Sequence, residues 1–207
     1  MQADDPCRKE IVVIMTGASG SIYGLRLIEA LLGARQHLSL LISDAGHKVI
    51  HYETGLDLSG DIESTRRKLC HYFKVEKGLE YYANDDFFAP IASGSSAPDS
   101  VVIVPCSMGT VGRIAAGLSG TLIERVADVA LKERRELLLV PRETPFNQIH
   151  LENLLRLSRA GAQILPAMPA FYQKPESVND LVDFVVGKIL DSLNIDHQLF
   201  RRWGHES

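Results

Sequence analysis

The sequence has few cysteines, no excess of basic residues and no long apolar run. Its three cysteines, Cys7, Cys70 and Cys106, lie far apart in 207 residues, so neither a disulfide framework nor a metal knuckle is predicted. The formal net charge of −4 does not suit a nucleic acid or an anionic membrane surface as partner. The apolar runs are far shorter than the ~20 residues of a membrane span. Because the polar, acidic N-terminus does not resemble a secretory signal, we predict a cytoplasmic protein.

Short apolar runs alternate with amphipathic segments along the chain. Strands are predicted at 11–15, 38–42, 101–104, 136–140 and 163–165, and helices at 21–33, 45–52, 109–117, 121–133, 147–160 and 178–193, with an irregular region at 55–90. Continuous apolar strands separated by helices indicate a parallel sheet covered on both faces. The prediction is a doubly wound α/β fold in a single domain spanning 1–207, with a mobile N-terminus at 1–9 and a C-terminal tail at 195–207.

The first predicted strand ends in a turn of small residues that runs from Thr16 to Gly20 and precedes a helix. Glycine permits close backbone approach, and a helix N-terminus offers free N–H groups and the positive end of the dipole. We interpret this turn as a phosphate cradle. It lacks the lysine of a P-loop and the spacing of G-x-G-x-x-G. A nucleotide reductase with Asp44 on a ribose is an alternative, although no tyrosine is followed four residues later by lysine.

Two further loops follow predicted strands. The segment "PCSMGT" after 101–104 places the hydroxyls of Ser107 and Thr110 in a second candidate cradle, and Cys106 beside them is predicted to be a small buried thiol. The segment "PRETPFN" after 136–140 places Arg142 and Glu143 directly beyond a buried strand. Arginine binds phosphate bidentately, and a glutamate shielded from water can transfer protons near neutral pH. A surface ion pair or a helix cap is the other interpretation of this charged pair.

Other polar clusters do not match a metal motif. His47 and His51 have a spacing that suits zinc, but Lys48 stands where H-E-x-x-H needs glutamate, so a solvated helix face is predicted. Asp85 and Asp86 do not form the carboxylate motif that holds magnesium diphosphate. We therefore predict no metal site.

Eight motifs, taken in order, resemble those of the UbiX-like flavin prenyltransferases. They are "TGASGSIYG", "ASGSSAP", "PCSMGT", "LIERVADVALKERR", "LVPRETPF", "IHLENLLRLSRAGA", "PAFYQKP" and "RRWG", and the region 55–85 carries no motif of this family. The resemblance implies a flavodoxin-like, Rossmann-type three-layer domain that assembles into a homododecamer and binds FMN. The implied activity is metal-independent transfer of a dimethylallyl group from dimethylallyl phosphate to N5 and C6 of reduced FMN. A UbiD-like decarboxylase would use the prenylated FMN, in ubiquinone biosynthesis or in aromatic acid decarboxylation.

The resemblance also implies which residues bind the flavin. These lie in the loops after the strands and are Gly17, Ala18, Ser19, Ser43, Ser107, Met108, Gly109, Thr110 and Arg142. Arg125 would lie near this site. Ala92 and Ser93 would leave room for the prenyl group, and Trp203 would close over it.

The resemblance implies a second set of residues for the prenyl phosphate, namely Lys132, Tyr172 and Lys188 together with Arg142. Some of these would come from neighbouring subunits. Position 188 carries lysine where some members have arginine, which keeps the cation without the bidentate fork. The implied catalytic residues are Glu143 as the acid/base, Ser19 in support of it, and Arg142.

Two other functions stay open on the sequence. The FMN-dependent cysteine-type decarboxylases share the implied fold and cofactor but carry P-x-M-N where this chain reads "PRET" at 141–144. A non-catalytic FMN-binding protein would need the flavin loops but not Lys132, Glu143, Tyr172 and Lys188 together. Both alternatives fit these residues less well than prenyl transfer does.

Overall fold

The computed structural model describes residues 9–201, which contain a six-stranded parallel sheet with helices on both faces. The strands are Glu10–Met15 (β1), His37–Ile42 (β2), Leu79–Tyr82 (β3), Ser100–Cys106 (β4), Glu136–Pro141 (β5) and Gln163–Ile164 (β6). Their order in the sheet is β3-β2-β1-β4-β5-β6. The direction of winding reverses between β1 and β4, where ligands bind in sheets of this kind. The predicted doubly wound α/β fold is confirmed.

The helices form two layers. They are Ser21–Gly33 (α1), Asp44–Thr54 (α2), Ile62–Phe73 (α3), Met108–Ala115 (α4), Leu122–Lys132 (α5), Gln148–Arg159 (α6) and Val178–Ser192 (α7). One apolar core joins the sheet to α1, α2, α3 and α7, and the other joins it to α4, α5 and α6. Two short 3-10 turns, Pro90–Ala92 and Gly94–Ser96, precede β4.

Residues alternate between the two cores along each central strand. In β1, Val13 and Met15 face the first core, whereas Val12 and Ile14 face the second. All seven residues of β4 are buried, as a strand covered on both faces requires. This double burial fixes the central strands, and the loops at their carboxyl ends are held by rigid elements.

The region 55–90, predicted to be irregular, contains α3 and β3, so that prediction is wrong. Asp61 caps α3 by accepting a hydrogen bond from Ser64 N at 2.7 Å, but the helix buries only Thr65 and Leu69 on a charged surface. A narrow apolar stripe gives a weak periodic signal. The other predicted elements are present, and their ends differ by at most two residues.

The C-terminal segment packs on α7 as far as it is described. Ile195 lies in the first core, and a Cβ added to Gly187 would clash with the ring of Phe200. Of the predicted tail, residues 202–207 lie outside the described residues, as does nearly all of the predicted mobile N-terminus. Within the described part of the chain, no helix combines the length and hydropathy needed to cross a membrane.

Candidate functional site

At the end of the turn after β1, the backbone N–H groups already donate hydrogen bonds to a carboxylate. Gly20 adopts a left-handed conformation with φ 106°, and it begins α1 without a side-chain cap. Its N–H and that of Ser21 donate to the carboxylate of Glu53, at 3.1 and 2.8 Å. A Cβ on Gly17 would lie 2.5 Å from Ala45 Cβ, so this turn needs glycine there. The N–H groups that we interpreted as a phosphate cradle therefore bind the chain's own carboxylate.

Glu53 comes from the last turn of α2. Its partial burial raises its pKa, but hydrogen bonds from the Ser19 side chain and from the N–H groups of Ser21 and Gly20 outweigh burial and hold the pKa below its ordinary value. The carboxylate is therefore charged at neutral pH. Sequence reasoning missed Glu53, because it lies 33 residues from Gly20 in a segment without a recognised motif.

The turn after β4 is capped by hydroxyls. Ser107 caps α4 and accepts from Thr110 N at 3.3 Å, and the two hydroxyls lie 3.0 Å apart. Ser107 N donates to Thr16 Oγ1 at 2.8 Å, and the same hydroxyl donates to Pro105 O at 2.8 Å. A single buried threonine thus ties the first turn to the second. Among the other predicted flavin residues, Ala18 and Met108 are buried, whereas Ser19 and Gly109 are exposed.

Arg142 connects the loop after β5 to the first turn. Its Nε donates to Ser19 O at 3.0 Å, and its backbone N donates to Cys106 O at 3.3 Å. Glu143 is half-buried, and its carboxylate accepts from Thr144 N at 3.0 Å. The structure therefore brings Arg142 and Glu143 to the sheet edge that carries Ser19 and Ser107, as predicted. The Ser19 side chain, which we expected to support Glu143, is hydrogen-bonded to Glu53.

Ser43 lies at the same edge, after β2. It caps α2 by accepting from Gly46 N at 3.0 Å. Beside it is a cavity of about 370 Å³, whose lining includes Asn84, Arg113, Gly120 and Glu124. Arg113 and Glu124 were not singled out from the sequence. The T-x-x-E spacing of a helix capping box at Thr121 was the one signal for Glu124, and that box is present.

The residues predicted for the prenyl phosphate are divided between the two faces of the sheet. Lys132 ends α5 in the layer of the second core, where it pairs with Glu133. Tyr172 and Lys188 lie on the other side of the sheet, where both contact the ring of Phe184: the Tyr172 ring centroid is 5.8 Å away and Lys188 Nζ is 5.9 Å away. Lys188 Nζ also lies 3.6 Å from Asp191 and 5.3 Å from the Phe200 ring centroid.

Both lysines lie towards the edge where the strands begin. Helix α5 starts beside Asn84, just beyond β3, and its 11 residues run ~16 Å back towards the first residue of β5. Lys188 is in the last part of α7, and Leu193 O near the end of that helix accepts from Lys9, next to the first residue of β1. One chain thus places Lys132 and Lys188 away from the carboxyl edge that holds Arg142.

Arg125 lies between the carboxyl edge of the sheet and the edge where the strands begin. Its Nε donates to Ala92 O at 3.1 Å, and its guanidinium pairs with Asp128 at 3.2 Å. Ala92 is buried and Ser93 is exposed with its hydroxyl 2.9 Å from that of Ser95. The predicted Trp203 lies outside the described residues.

Two side predictions have clear outcomes. Cys106 is fully buried, and burial raises its pKa to about 12, so the buried-thiol prediction is confirmed. His47 is half-buried with Nε2 2.9 Å from the Tyr81 hydroxyl, and burial lowers its pKa although Asp44 opposes this. The predicted solvated face is therefore wrong for His47 and right for the exposed His51. Across residues 9–201, no group of three or more His, Cys, Asp or Glu side chains is arranged to hold a metal ion.

Comparison with known proteins identifies relatives over most of the chain. The Flavoprotein family model matches residues 2–190. The flavin prenyltransferase UbiX of Methanocaldococcus jannaschii is 50% identical over 94% of this chain and 98% of that protein. The flavin prenyltransferase UbiX of Pseudomonas aeruginosa is 49% identical over 96% of this chain and 95% of that protein.

Solved structures with the same fold share a substantial part of the sequence. AnUbiX (PadA1), crystallised with FMN and dimethylallyl pyrophosphate, superposes with a TM-score of 0.86 at 40% identity, over 97% of this chain and all of that one. A dodecameric FMN-dependent UbiX-like decarboxylase from Escherichia coli O157:H7 gives 0.83 at 39% identity, over 94% and 98%. The chain belongs to the Flavoprotein family and, within it, to the flavin prenyltransferases of the UbiX type.

Proposed function

We propose that this protein joins a dimethylallyl group from dimethylallyl phosphate to N5 and C6 of reduced FMN, with release of phosphate. The observation that carries the proposal is the position of Arg142 and Glu143. The Arg142 guanidinium is hydrogen-bonded to the first turn, so the adjacent half-buried carboxylate stands at the switch point of the sheet. A cation and a carboxylate at this place suit both a leaving phosphate and proton transfer.

The residues at the carboxyl edge fit FMN. The hydroxyls of Ser107 and Thr110 provide donors for its phosphate, as does the hydroxyl of Ser43, which lines the neighbouring cavity. Ala45 packs directly against Gly17, which holds the first turn close to the start of α2. Reduced FMN, when bound, supplies the N5 and C6 atoms that form the new bonds. The protein's part is to hold that ring, to exclude water and to move protons.

Glu143 is the group that we assign to proton transfer. Two bonds form, at N5 and C6, and the C–O bond to phosphate breaks, so the N5 proton is released and the leaving phosphate takes the bonding electrons. Closing the bond at C6 removes the C6 proton and adds one proton to the prenyl double bond. Glu143 takes the N5 proton and gives it to the prenyl double bond, and the leaving phosphate takes the C6 proton that is lost as the second bond closes, so the carboxylate ends unchanged. Arg142, bonded to Ser19 O, keeps the adjacent carboxylate in place.

The leaving phosphate is assigned to cations rather than to a metal ion. Lys132, Lys188 and Arg142 are positively charged, and Tyr172 adds a hydroxyl donor. Since Lys132 and Lys188 lie on opposite faces and away from Arg142 in one chain, we propose that neighbouring subunits of a homododecamer complete the site. The dodecameric assembly of the E. coli relative supports this proposal.

Glu53 has a different role in the proposal. Its charged carboxylate uses the N–H groups of Gly20 and Ser21, so a phosphate at that helix end would meet negative charge. We propose that Glu53 orients the Ser19 hydroxyl towards the flavin ring and directs the flavin phosphate to the second turn.

The product needs a recipient, because prenylated FMN is itself a cofactor. We propose a UbiD-like decarboxylase in ubiquinone biosynthesis or in aromatic acid decarboxylation. We also propose a cytoplasmic location. The free thiols of Cys70 and Cys106 suit the reducing conditions there.

The test is an anaerobic reaction of the protein with reduced FMN and dimethylallyl phosphate, with a chelator and no added metal. The flavin is then extracted and examined by mass spectrometry. We expect a gain of one C5H8 unit. A bound but unchanged flavin would refute prenyl transfer and favour a flavin carrier or a cysteine-type decarboxylase.

A second experiment tests the shared site. Glu143→Gln and Lys188→Ala subunits are co-expressed with different tags, and the purified mixed oligomers are assayed below the KM for dimethylallyl phosphate, where each variant alone is slower than the wild type. If different chains supply Glu143 and Lys188 to one site, some sites contain two intact residues and activity returns. Mixed oligomers no more active than the mean of the two parents would show that each chain completes its own site.

A further inference from the structure

We infer that Arg113, held by the buried carboxylate of Glu124, binds the phosphate of FMN and makes the site select FMN over flavins without a phosphate. This inference rests on the proposed function, which places the flavin phosphate beside Ser43 and the second turn. It adds a residue that the family motifs in the sequence did not indicate.

The guanidinium of Arg113 lies over the first turn of α4. Its Nη2 donates to Thr110 Oγ1 at 3.2 Å, and its Nη1 lies 3.5 Å from the place where a Cβ on Gly109 would stand. Residues three and four positions apart share one helix face, so the side chain covers the turn that precedes it. The positive charge is therefore beside the Ser107 and Thr110 hydroxyls.

Glu124 fixes this orientation from within the protein. Its side chain is only 3% exposed, and Oε1 accepts from Arg113 Nε at 2.6 Å. Its other oxygen accepts from Gly120 N at 2.7 Å and from Thr121 N at 3.2 Å. Both carboxylate oxygens thus accept hydrogen bonds from the residues that line the cavity. The fixed carboxylate restricts the orientation of the Arg113 guanidinium.

The ion pair is asymmetric with respect to the cavity. The Arg113 side chain is 48% exposed and the Glu124 side chain 3%. Both line the 370 Å³ cavity that also contains Ser43. Within residues 9–201 no hydrogen bond occupies Arg113 Nη1, so that nitrogen is free to donate. A buried negative end and an open positive end favour an anionic ligand in the cavity.

A purely structural ion pair makes a different prediction from a phosphate site. If Arg113 only neutralises Glu124, its removal lowers stability and affects all flavins equally. If it binds phosphate, the loss is confined to ligands that carry one. Riboflavin has the ring and ribityl chain of FMN without the phosphate, and it separates the two possibilities.

The experiment measures the dissociation constants of FMN and riboflavin by flavin fluorescence, with the intact oligomer at low and high salt. We expect Arg113→Gln to raise the Kd of FMN about ten-fold or more, to leave riboflavin within about two-fold, and to weaken the salt dependence of FMN binding. Arg113→Lys should fall between. Arg66→Gln, which breaks the exposed pair with Glu63 on α3, is the matched control and should leave both constants unchanged.

Equal changes in the two constants, or no change in either, would overturn the inference while FMN binding by the wild type still supports the proposed function. If the wild type binds no FMN, the proposed function and the inference both fail. If Arg113→Gln does not fold, Arg113→Lys is compared with the wild type for competition by inorganic phosphate, and equal competition would also refute a role for the guanidinium.

Discussion

The turns after β1 and β4 are neighbours in the sheet and similar in sequence, but they carry opposite charge. Both are rich in small and hydroxyl residues, and both lead into a helix. At the first turn the N–H groups of Gly20 and Ser21 bind the carboxylate of Glu53. At the second turn Ser107 caps the helix and the guanidinium of Arg113 lies above it.

This difference assigns separate tasks to the two turns. A phosphate dianion is disfavoured beside a charged carboxylate and favoured beside a guanidinium and hydroxyls. In the proposed function, the first turn therefore faces the uncharged part of the flavin, and the hydrogen bond from Arg142 to Ser19 O places Glu143 beside it for proton transfer. The comparison teaches that a glycine-rich turn before a helix identifies a site, whereas the side chains that fold over it decide its ligand.

The largest expected effect separates chemistry from affinity at the first turn. Glu143→Gln should lower the rate of prenyl transfer about 100-fold or more while FMN binds as tightly as before, because only proton transfer is lost. Single-turnover mass spectrometry and a flavin titration measure the two quantities. Glu152→Gln, an exposed change on α6, is the control. Wild-type turnover by the Glu143 variant would remove its acid/base role.

A smaller effect is expected where neither turn is involved. Lys188→Ala should raise the KM for dimethylallyl phosphate about ten-fold and leave the Kd of FMN unchanged, since a charge-assisted contact to the leaving phosphate is lost. Steady-state kinetics with reduced FMN measure this. Lys68→Ala on α3 is the control, because its lysine pairs with Asp57 on the surface. A selective loss of FMN would instead place Lys188 at the flavin.

A third change sharpens the assignment of affinity to the second turn. Ser107→Ala removes a cap and a phosphate donor, so FMN should bind about five-fold more weakly and stability should fall by ~1 kcal/mol. The maximal rate at saturating FMN should stay near that of the wild type. Asp61→Ala removes the cap of α3 in the same way and should lower stability without affecting FMN. Equal losses of FMN affinity in both variants would contradict the assignment.

The smallest effect concerns the charge at the first turn. The pKa of Glu53 is held below its ordinary value in the folded protein, so its ionised form stabilises the fold fully above the unfolded pKa. That contribution is lost as pH falls through the folded pKa. Glu53→Gln should therefore lower the free energy of unfolding at pH 7 by less than ~1 kcal/mol, because Glu53 is exposed, and the thermal midpoint should fall with it. The difference in midpoint between the variant and the wild type should shrink below pH ~4.5. A difference that grows on acidification would contradict this sign.

The sequence is informative about the sheet because double burial leaves a strong pattern. Continuous apolar runs locate β1, β4 and β5, and the residues after them lie at one edge as expected. Helix α3 is the counterexample, since its sequence is mostly polar and only Thr65 and Leu69 are buried. Its amphipathic signal is too weak to separate it from a loop.

The site is predictable only where its residues belong to a turn. Ser19, Ser107 and Arg142 follow buried strands, so their shared edge follows from the topology. Glu53 reaches the first turn from the far end of α2, and Glu124 reaches Arg113 across 11 residues. Such contacts depend on how helices pack, and no local pattern encodes them.

The hydroxyl of Thr16 limits how this site can be redesigned. It accepts a hydrogen bond from Ser107 N and donates one to Pro105 O, and Thr16 is only 2% exposed. Both hydrogen bonds therefore hold the protein's own backbone. Valine in its place would leave the Ser107 N–H unpaired, at ~1–3 kcal/mol, and would remove one of the two hydrogen bonds that Pro105 O accepts, because the backbone N–H of residue 16 still donates to that oxygen. The turns after β1 and β4 are therefore not modular: exchanging one of them for a loop from another flavoprotein displaces the other, and a graft that changes cofactor preference has to carry both turns together.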